Sequence, residues 1–291
     1  MLAATHSVQL IIVKYNPEHP ASFNQGRPCM IIDSLTHVTP DGNWFGTSHD
    51  ASLGRLLAEM DKAGVDRSVV SALAGHIEND FVLRTCRAHR GRLIPGLSHN
   101  PAAYSSPAES KVAVRAIIAG EDFPVLKLHP RLNGYDPLDP RCLAVLEAVA
   151  EAVHPPIVYL DTLFRSSKFR LMRPPAETVH DLLLRFPTVR FVLLHGGGSQ
   201  LLAFSEIAAA CGNATLDLSM ALLHYERSSL AADIRFVLSR YDRIIVAGSD
   251  FPEYTPAAYL ERIRSEAAML GLSEEKIANV LGRNLGGLLP A

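Results

Sequence analysis

Histidines and aspartates able to bind a cation or move a proton recur in this chain just after short apolar runs. Met30-Ile-Ile-Asp33 is followed by Ser34-Leu35-Thr36-His37, Phe191-Val-Leu-Leu194 by His195-Gly-Gly-Gly198, and Ile244-Ile-Val-Ala247 by Gly248-Ser249-Asp250. Imidazole and carboxylate are the groups of general acid–base catalysis and of divalent-metal ligation, so His37, His195 and Asp250 are candidate catalytic residues. Two more runs end the same way, 125–128 leading to His129-Pro130-Arg131 and 157–160 to Asp161-Thr162. His129 and Arg131, with Lys127 inside its run, make a cationic patch suited to a carboxylate or enolate, while Lys127 has the alternative of pointing into a core layer. A lone histidine after a strand is ordinarily a loop or core residue. Ionisable groups at the same end of five runs favour a cluster.

Such a cluster needs a scaffold that gathers strand ends. Runs of strand length lie at 30–33, 68–72, 93–97, 125–128, 157–160, 191–194, 215–218 and 244–247. Between them are stretches with helical spacing: 52–63, 80–88, 109–119, 141–152, 176–185, 201–210, 230–239 and 256–270. In the first of these Leu53, Leu56, Leu57 and Met60 recur at i, i+3, i+4 and i+7 and form one apolar stripe. Eight βα units predict an α/β protein, a closed (β/α)8 barrel whose chemistry sits at the C-terminal strand ends. The barrel is expected over 29–291, with one or two closing helices in 273–289. Residues 1–28 read as an N-terminal extension whose proline-rich part, with Pro17, Pro20 and Pro28, runs over the surface.

Composition narrows the partners. The 291 residues are 48% hydrophobic, enough for one large core, and 28 Lys+Arg against 30 Asp+Glu leave a net charge of −2. The charges are interspersed, which argues against nucleic acid or an anionic membrane and for a small-molecule substrate. Cys29, Cys86, Cys142 and Cys211 are widely spaced with no C-x-x-C pair, so each reads as a small buried hydrophobe in a reducing, cytoplasmic setting. The apolar run at 8–13 is too short to span a membrane and has no small-residue cleavage site after it.

The motifs resemble the amidohydrolase-related (amidohydrolase 2) family. The carrying residues are Ile32-Asp33-Ser34-Leu35-Thr36-His37, Ser52-Leu-Gly-Arg-Leu-Leu57 with Met60-Asp61 and Gly64-Val65-Asp66, Arg90-Gly-Arg-Leu-Ile94 and Lys127-Leu-His-Pro130. Leu194-His-Gly-Gly-Gly198, Leu216-Asp-Leu-Ser219, Gly248-Ser-Asp-Phe-Pro252 and Gly282-Arg-Asn284 continue it in order. The resemblance implies a TIM barrel of the amidohydrolase type, often a homodimer, in which Asp-x-His-x-His supplies two metal ligands. Here the motif reads Asp33-x-Leu35-x-His37, and leucine ligates nothing. The family's fifth-strand histidine falls at Leu160 or, one residue on, at Asp161, which could ligate. His195 and Asp250 match the sixth-strand histidine and the eighth-strand aspartate.

Two site chemistries follow. In one, His37, Asp250 and Asp161 hold zinc or another divalent metal that activates water, with His129 or His195 as alternative third ligands. In the other there is no metal: Asp250 and His195 serve directly as acid and base while His37, His129 and Arg131 hold an anionic substrate. The corresponding functions are hydrolysis of a small carbonyl compound such as a lactone or ester, decarboxylation of a small carboxylic acid, or a catalytically inactive barrel that only binds. Trp44 and His76, in the loops after the first two strands, are further candidates for touching substrate. The basic stretch at 164–175, with Arg165, Lys168, Arg170 and Arg173, is a solvated loop, or attracts anions if it covers the site. Asp217 either points into the barrel or holds a neighbouring cation. His6, His19, His49, His89, His99, His154, His180 and His224 have no companion motif and read as surface or loop residues.

Overall fold

Eight aliphatic runs become eight parallel strands in a computed structural model that describes residues 30–290. They are β1 Ile32–Thr36, β2 Arg67–Ser71, β3 Leu93–His99, β4 Val125–Leu128, β5 Ile157–Asp161, β6 Phe191–Leu194, β7 Ala214–Asp217 and β8 Ile245–Val246, hydrogen-bonded in that order. The sheet closes on itself where Ser34 N donates to Ala247 O at 3.2 Å, Asp250 N to Leu35 O at 3.0 Å and His37 N to Phe251 O at 2.8 Å. The extension expected over 1–28, and Cys29, lie outside the described residues.

One long helix follows each strand: α1 Leu53–Ala63, α2 Asn79–Ala88, α3 Pro107–Gly120, α4 Pro140–Ala150, α5 Pro175–Arg185, α6 Leu201–Cys211, α7 Leu230–Arg240 and α8 Pro256–Leu270. Local chemistry sets their ends. Ser52, Ser106, Asp139 and Thr255 cap α1, α3, α4 and α8 by accepting from first-turn backbone N–H groups. Gly64 and Gly271 end α1 and α8 in left-handed conformations that a Cβ would oppose.

Strand periodicity sorts the side chains. Val125, Ile157, Tyr159, Val192, Leu194 and Val246 fill the barrel interior, while Leu126, Leu128, Val158, Leu160, Leu193 and Leu216 face the helices. The alternation puts Lys127, Asp161 and Asp217 on the inner face, above that core. It also settles the fifth-strand register: Leu160 faces the helices and Asp161 faces in.

Several elements differ from expectation. β1 begins two residues later than expected and runs through Asp33, Ser34 and Thr36, polar residues that weaken its apolar signal but find partners across the barrel. His99, expected at the surface, is the last residue of β3. It is buried, stacks on Tyr104 and faces Ser110 Oγ from Nε2 at 3.3 Å. Cys86 and Cys142 are buried and Cys211 half-buried, all three free.

Beyond α8 the chain closes the barrel floor through two short helices, Glu274–Ala278 and Asn284–Leu288, joined by one turn of π-helix. Leu285 and Leu289 join the interior core, and Asn284 Nδ2 donates to Asp242 O and Ile245 O at 2.7 Å each. Gly282 lies against β1: a Cβ there would fall 1.8 Å from Met30 O, whereas one at exposed Gly287 would meet nothing within 4 Å. Gly282→Ala should therefore cost about 1–3 kcal/mol in urea unfolding through overpacking. Gly287→Ala should be neutral or slightly stabilising.

Candidate active site

The inner-face residues converge with the loops that follow them on a cleft of about 530 Å³ at the C-terminal end of the barrel. Its lining includes His37, Trp44, Lys127, His129, Arg131, His195 and Asp250. Among the described residues four non-glycines adopt positive φ: Phe45, His195, Met220 and Asp250, at 50°, 64°, 58° and 56°. All four line this cleft. Backbone strain of this kind persists only where the surroundings over-determine it, and it gathers at functional sites.

The supports for Asp250 and His195 are identifiable. Asp33 accepts from Ser249 N at 2.9 Å, Ser249 Oγ at 2.6 Å and Leu35 N at 3.3 Å, tying β1 to the residue before Asp250. Burial pushes the Asp33 carboxyl up to about 7 despite those donors. Asp217, whose direction the sequence left open, points inward. It accepts from Ser34 Oγ and Ser219 Oγ, from Ser219 N at 3.0 Å and from His195 N at 3.3 Å.

Hydrogen bonds fix the histidine tautomers. His37 Nδ1 lies 2.7 Å from Ser71 O, which can only accept, so Nδ1 carries the proton and Nε2 presents a lone pair. Lys127 Nζ donates to that lone pair at 3.1 Å, and Asp250 Oδ1 lies 3.9 Å from the same nitrogen. Burial, then the Lys127 ammonium, hold the His37 imidazole well below its ordinary value. Burial lowers Lys127 to about 8 against the pull of Asp250 and Asp161. Burial also raises Asp250, though His195 and Lys127 oppose the shift.

Asp161 organises the other half of the site. Its Oδ2 faces His195 Nε2 at 3.4 Å, His129 Nε2 at 3.6 Å and Arg131 Nη2 at 3.3 Å. Burial works to raise this carboxyl, but His129, His195 and Arg131 outweigh it and hold it far below the ordinary carboxylate range. His195 donates from Nδ1 to Ser219 O at 3.0 Å. Burial works against its charge, yet the Asp161 contact and the Asp250 carboxylate leave it raised above the ordinary imidazole value. His129 accepts from Leu132 N at 3.4 Å and is lowered to about 3, first by burial, so it stays neutral.

Most of the expected residues come together here. Trp44 stacks on His37 with ring centroids 5.3 Å apart, and its Nε1 donates to Glu253 Oε1 at 2.7 Å. His76 does not join them: it is exposed on the far side of Phe45, beside a separate cleft of about 410 Å³. His224, expected as a loop residue without a role, lines the central cleft with Met220, Glu253 and Tyr254. No local pattern announced these four, because their loops carry no periodicity.

The residues do not fit the metal set expected from sequence. Asp161 is committed to three nitrogens on one side, and a cation held by His37 and Asp250 would meet the Lys127 ammonium at His37 Nε2. Among the described residues no three His, Cys, Asp or Glu side chains are grouped to hold one ion.

A family model for amidohydrolases matches residues 32–284. The chain belongs to that family. An uncharacterised TIM-barrel protein from Bordetella bronchiseptica superposes with a TM-score of 0.70 at 17% identity, over 89% of this chain and 98% of its own. A 5-carboxyvanillate decarboxylase from Sphingomonas paucimobilis gives 0.65 at 16%, over 90% and 99%. A probable 2-pyrone-4,6-dicarboxylic acid hydrolase from Acinetobacter baumannii, solved with citric acid, gives 0.58 at 15%, over 89% and 98%. These likenesses establish the shared barrel. No curated protein matches the sequence. No helix among the described residues is long and apolar enough to cross a membrane.

Asp161→Asn leaves three nitrogen groups facing a neutral amide. It should cost about 3–5 kcal/mol in urea unfolding, as breaking a buried ion pair does. The His195 ring should titrate lower in the variant by NMR.

Proposed function

We propose that this amidohydrolase-family chain hydrolyses an activated ester or lactone bearing a carboxylate, with the Lys127 ammonium as its electrophile and no metal ion. The observation that carries the reading is the placement of Lys127 Nζ at 3.1 Å from His37 Nε2, on the floor of a cleft that also holds Asp250. Lys127 and the His195 imidazolium present positive charge where a carbonyl oxygen turned into the cleft would become an oxyanion. Asp250 takes a proton from water as the water oxygen bonds to the carbonyl carbon. The tetrahedral adduct then expels the ester oxygen, which receives that proton. Burial raises Asp250, which makes it a stronger base than a solvated carboxylate. Arg131 fixes the substrate carboxylate.

Acid–base catalysis contributes about 10² to 10⁴ in rate, so the leaving group must be a good one, a phenolate or enolate, and amides fall outside the range. Two structural neighbours are named for planar anionic compounds, one a pyrone dicarboxylic acid and the other a carboxyvanillate.

Hydrolysis of carboxylated aryl esters and lactones in oxygen-labelled water should place the label in the product acid, at a rate that a chelator does not change. Release of carbon dioxide without label would replace this reading with decarboxylation, and chelator inactivation reversed by zinc would overturn the metal-free site. Asp250→Asn should lower kcat by about 10² to 10⁴ with folding intact. The rate should fall on the acid side as Asp250 gains its proton and on the alkaline side near pH 8, where Lys127 loses its own. Lys127→Arg should move only the alkaline limb, upward.

A further inference from the structure

Among the described residues Lys127 is the one buried lysine, and it lines the central cleft. Three other lysines have ordinary partners. Lys111 pairs with Glu147 and Glu151 at 3.2 and 2.9 Å, Lys276 with Asp242 at 3.6 Å, and Lys168, exposed although it lines the same cleft, donates to Leu132 O at 2.7 Å. An ammonium has three donors to satisfy, yet the hydrogen bond of Lys127 Nζ among the described residues runs to a histidine lone pair and not to a carboxylate. That seat suits a free amine equally well. With one N–H on His37 Nε2 at 3.1 Å, the nitrogen of the free amine keeps its own lone pair for a bound ligand. Burial lowers Lys127 to about 8 against the pull of Asp250 and Asp161, with the Arg131 charge adding to the shift, so amine and ammonium coexist near neutrality. A desolvated lysine is the side chain that forms imines with ketones.

The groups that imine chemistry needs stand around this nitrogen. His37 Nε2 can take a proton from the amine as it attacks. Asp250 Oδ1 lies 3.9 Å from that histidine nitrogen, and burial raises its carboxyl, so it can give a proton to a ketone oxygen and take one back from carbon. Arg131 lines the cleft with its Nη2 at 3.3 Å from Asp161 and a buried Nε that has no hydrogen-bond partner among the described residues, a donor left over for a carboxylate. Leu73, Trp44, Phe45 and Met220 complete an apolar wall that keeps bulk water from an imine.

We propose that Lys127 is an imine-forming nucleophile and that the cleft carries a second activity, the reversible conversion of small 2-oxo acids into enamines. The acid's carboxylate sits at Arg131 and its ketone at Lys127. The amine nitrogen bonds to the ketone carbon, the C=O π pair moves to oxygen, and that oxygen takes the proton of Asp250. The nitrogen passes one proton to His37 Nε2. His37 returns that proton to the hydroxyl, which leaves as water while the nitrogen lone pair forms C=N. Asp250, now a carboxylate, takes a proton from C3; the C–H pair becomes C=C and the C=N π pair returns to nitrogen. Reversal restores the C3 hydrogen, and water releases the ketone and the amine. The activity goes beyond ester hydrolysis, because the same side chain reacts as the amine and not as the ammonium.

The full chain is incubated with pyruvate or 2-oxobutanoate and reduced with borohydride. Intact-mass spectrometry should show a single adduct on each chain, and peptide mapping should place it on Lys127. In heavy water without reductant, proton NMR should show the C3 hydrogens of the same acids exchanging about 10² or more faster than in buffer, the scale of general acid–base catalysis. Lys127→Arg keeps a positive charge but offers no amine, so it should lose both adduct and exchange while circular dichroism shows a folded chain. Lys168→Arg should keep both. The wild-type mapping stands whether or not the Lys127 variant folds. No adduct, an adduct on Lys168 or spread over exposed lysines, no exchange, or exchange that survives Lys127→Arg in a folded chain overturns the proposal. Ester hydrolysis is read separately. A chain that forms the Lys127 adduct and exchanges C3 hydrogens but hydrolyses no ester keeps this activity and loses the proposed hydrolysis, and a chain that hydrolyses esters without forming the adduct loses this activity alone.

Discussion

A lysine ammonium buried beside a neutral histidine sets the terms at the top of this barrel. Lys127 is 1% exposed, and its hydrogen bond among the described residues runs to His37 Nε2. A desolvated charge needs compensation from its surroundings, and here that comes from the Asp250 and Asp161 carboxylates rather than from a single close ion pair. Asp161 in turn is shared among His129, Arg131 and His195. The two halves of the site are thus one charge system, in which displacing one member alters the protonation of the others.

That system depends on strand geometry. Inward positions of β4, β5 and β7 each place an ionisable group directly above an aliphatic layer, so the low dielectric that perturbs these groups comes from the same packing that stabilises the barrel. Asp33 and Asp217 act beneath them. One ties the β1 strand to Ser249, next to Asp250, and the other anchors the backbone at His195, so two of the four strained residues are supported by buried carboxylates that do not line the cleft. On the first strand Leu35 packs in the interior core and Asp33 serves as a clamp.

Two adjoining clefts open at this end of the barrel. The first holds the Lys127, His195 and Asp250 side chains, and the second offers a wide, cationic, aromatic-walled surface whose β5–α5 loop is fixed by Ser166 and Lys168 side chains bonded to the main-chain carbonyls of Arg131 and Leu132. Arg131 belongs to both, since it neutralises Asp161 on one side and leaves Nε unpaired on the other.

The sequence by itself determined the barrel, because hydrophobic periodicity and capping chemistry are local: Leu53, Leu56 and Met60 mark a helix face wherever they fold, and Ser52 caps it. It also determined that His37, Lys127, His129, Asp161, His195 and Asp250 share one end, since the strand period fixes where each run stops. Tertiary structure alone decided their partners. The inward direction of Asp217, the seat of Lys127 against His37 and the three nitrogens around Asp161 arise between strands remote in sequence. The place of His224 in the cleft, and of Arg165 and Arg170 in the second, depends on loops without periodicity. A ligand set is a set of distances, and those exist only once the strands close into a ring.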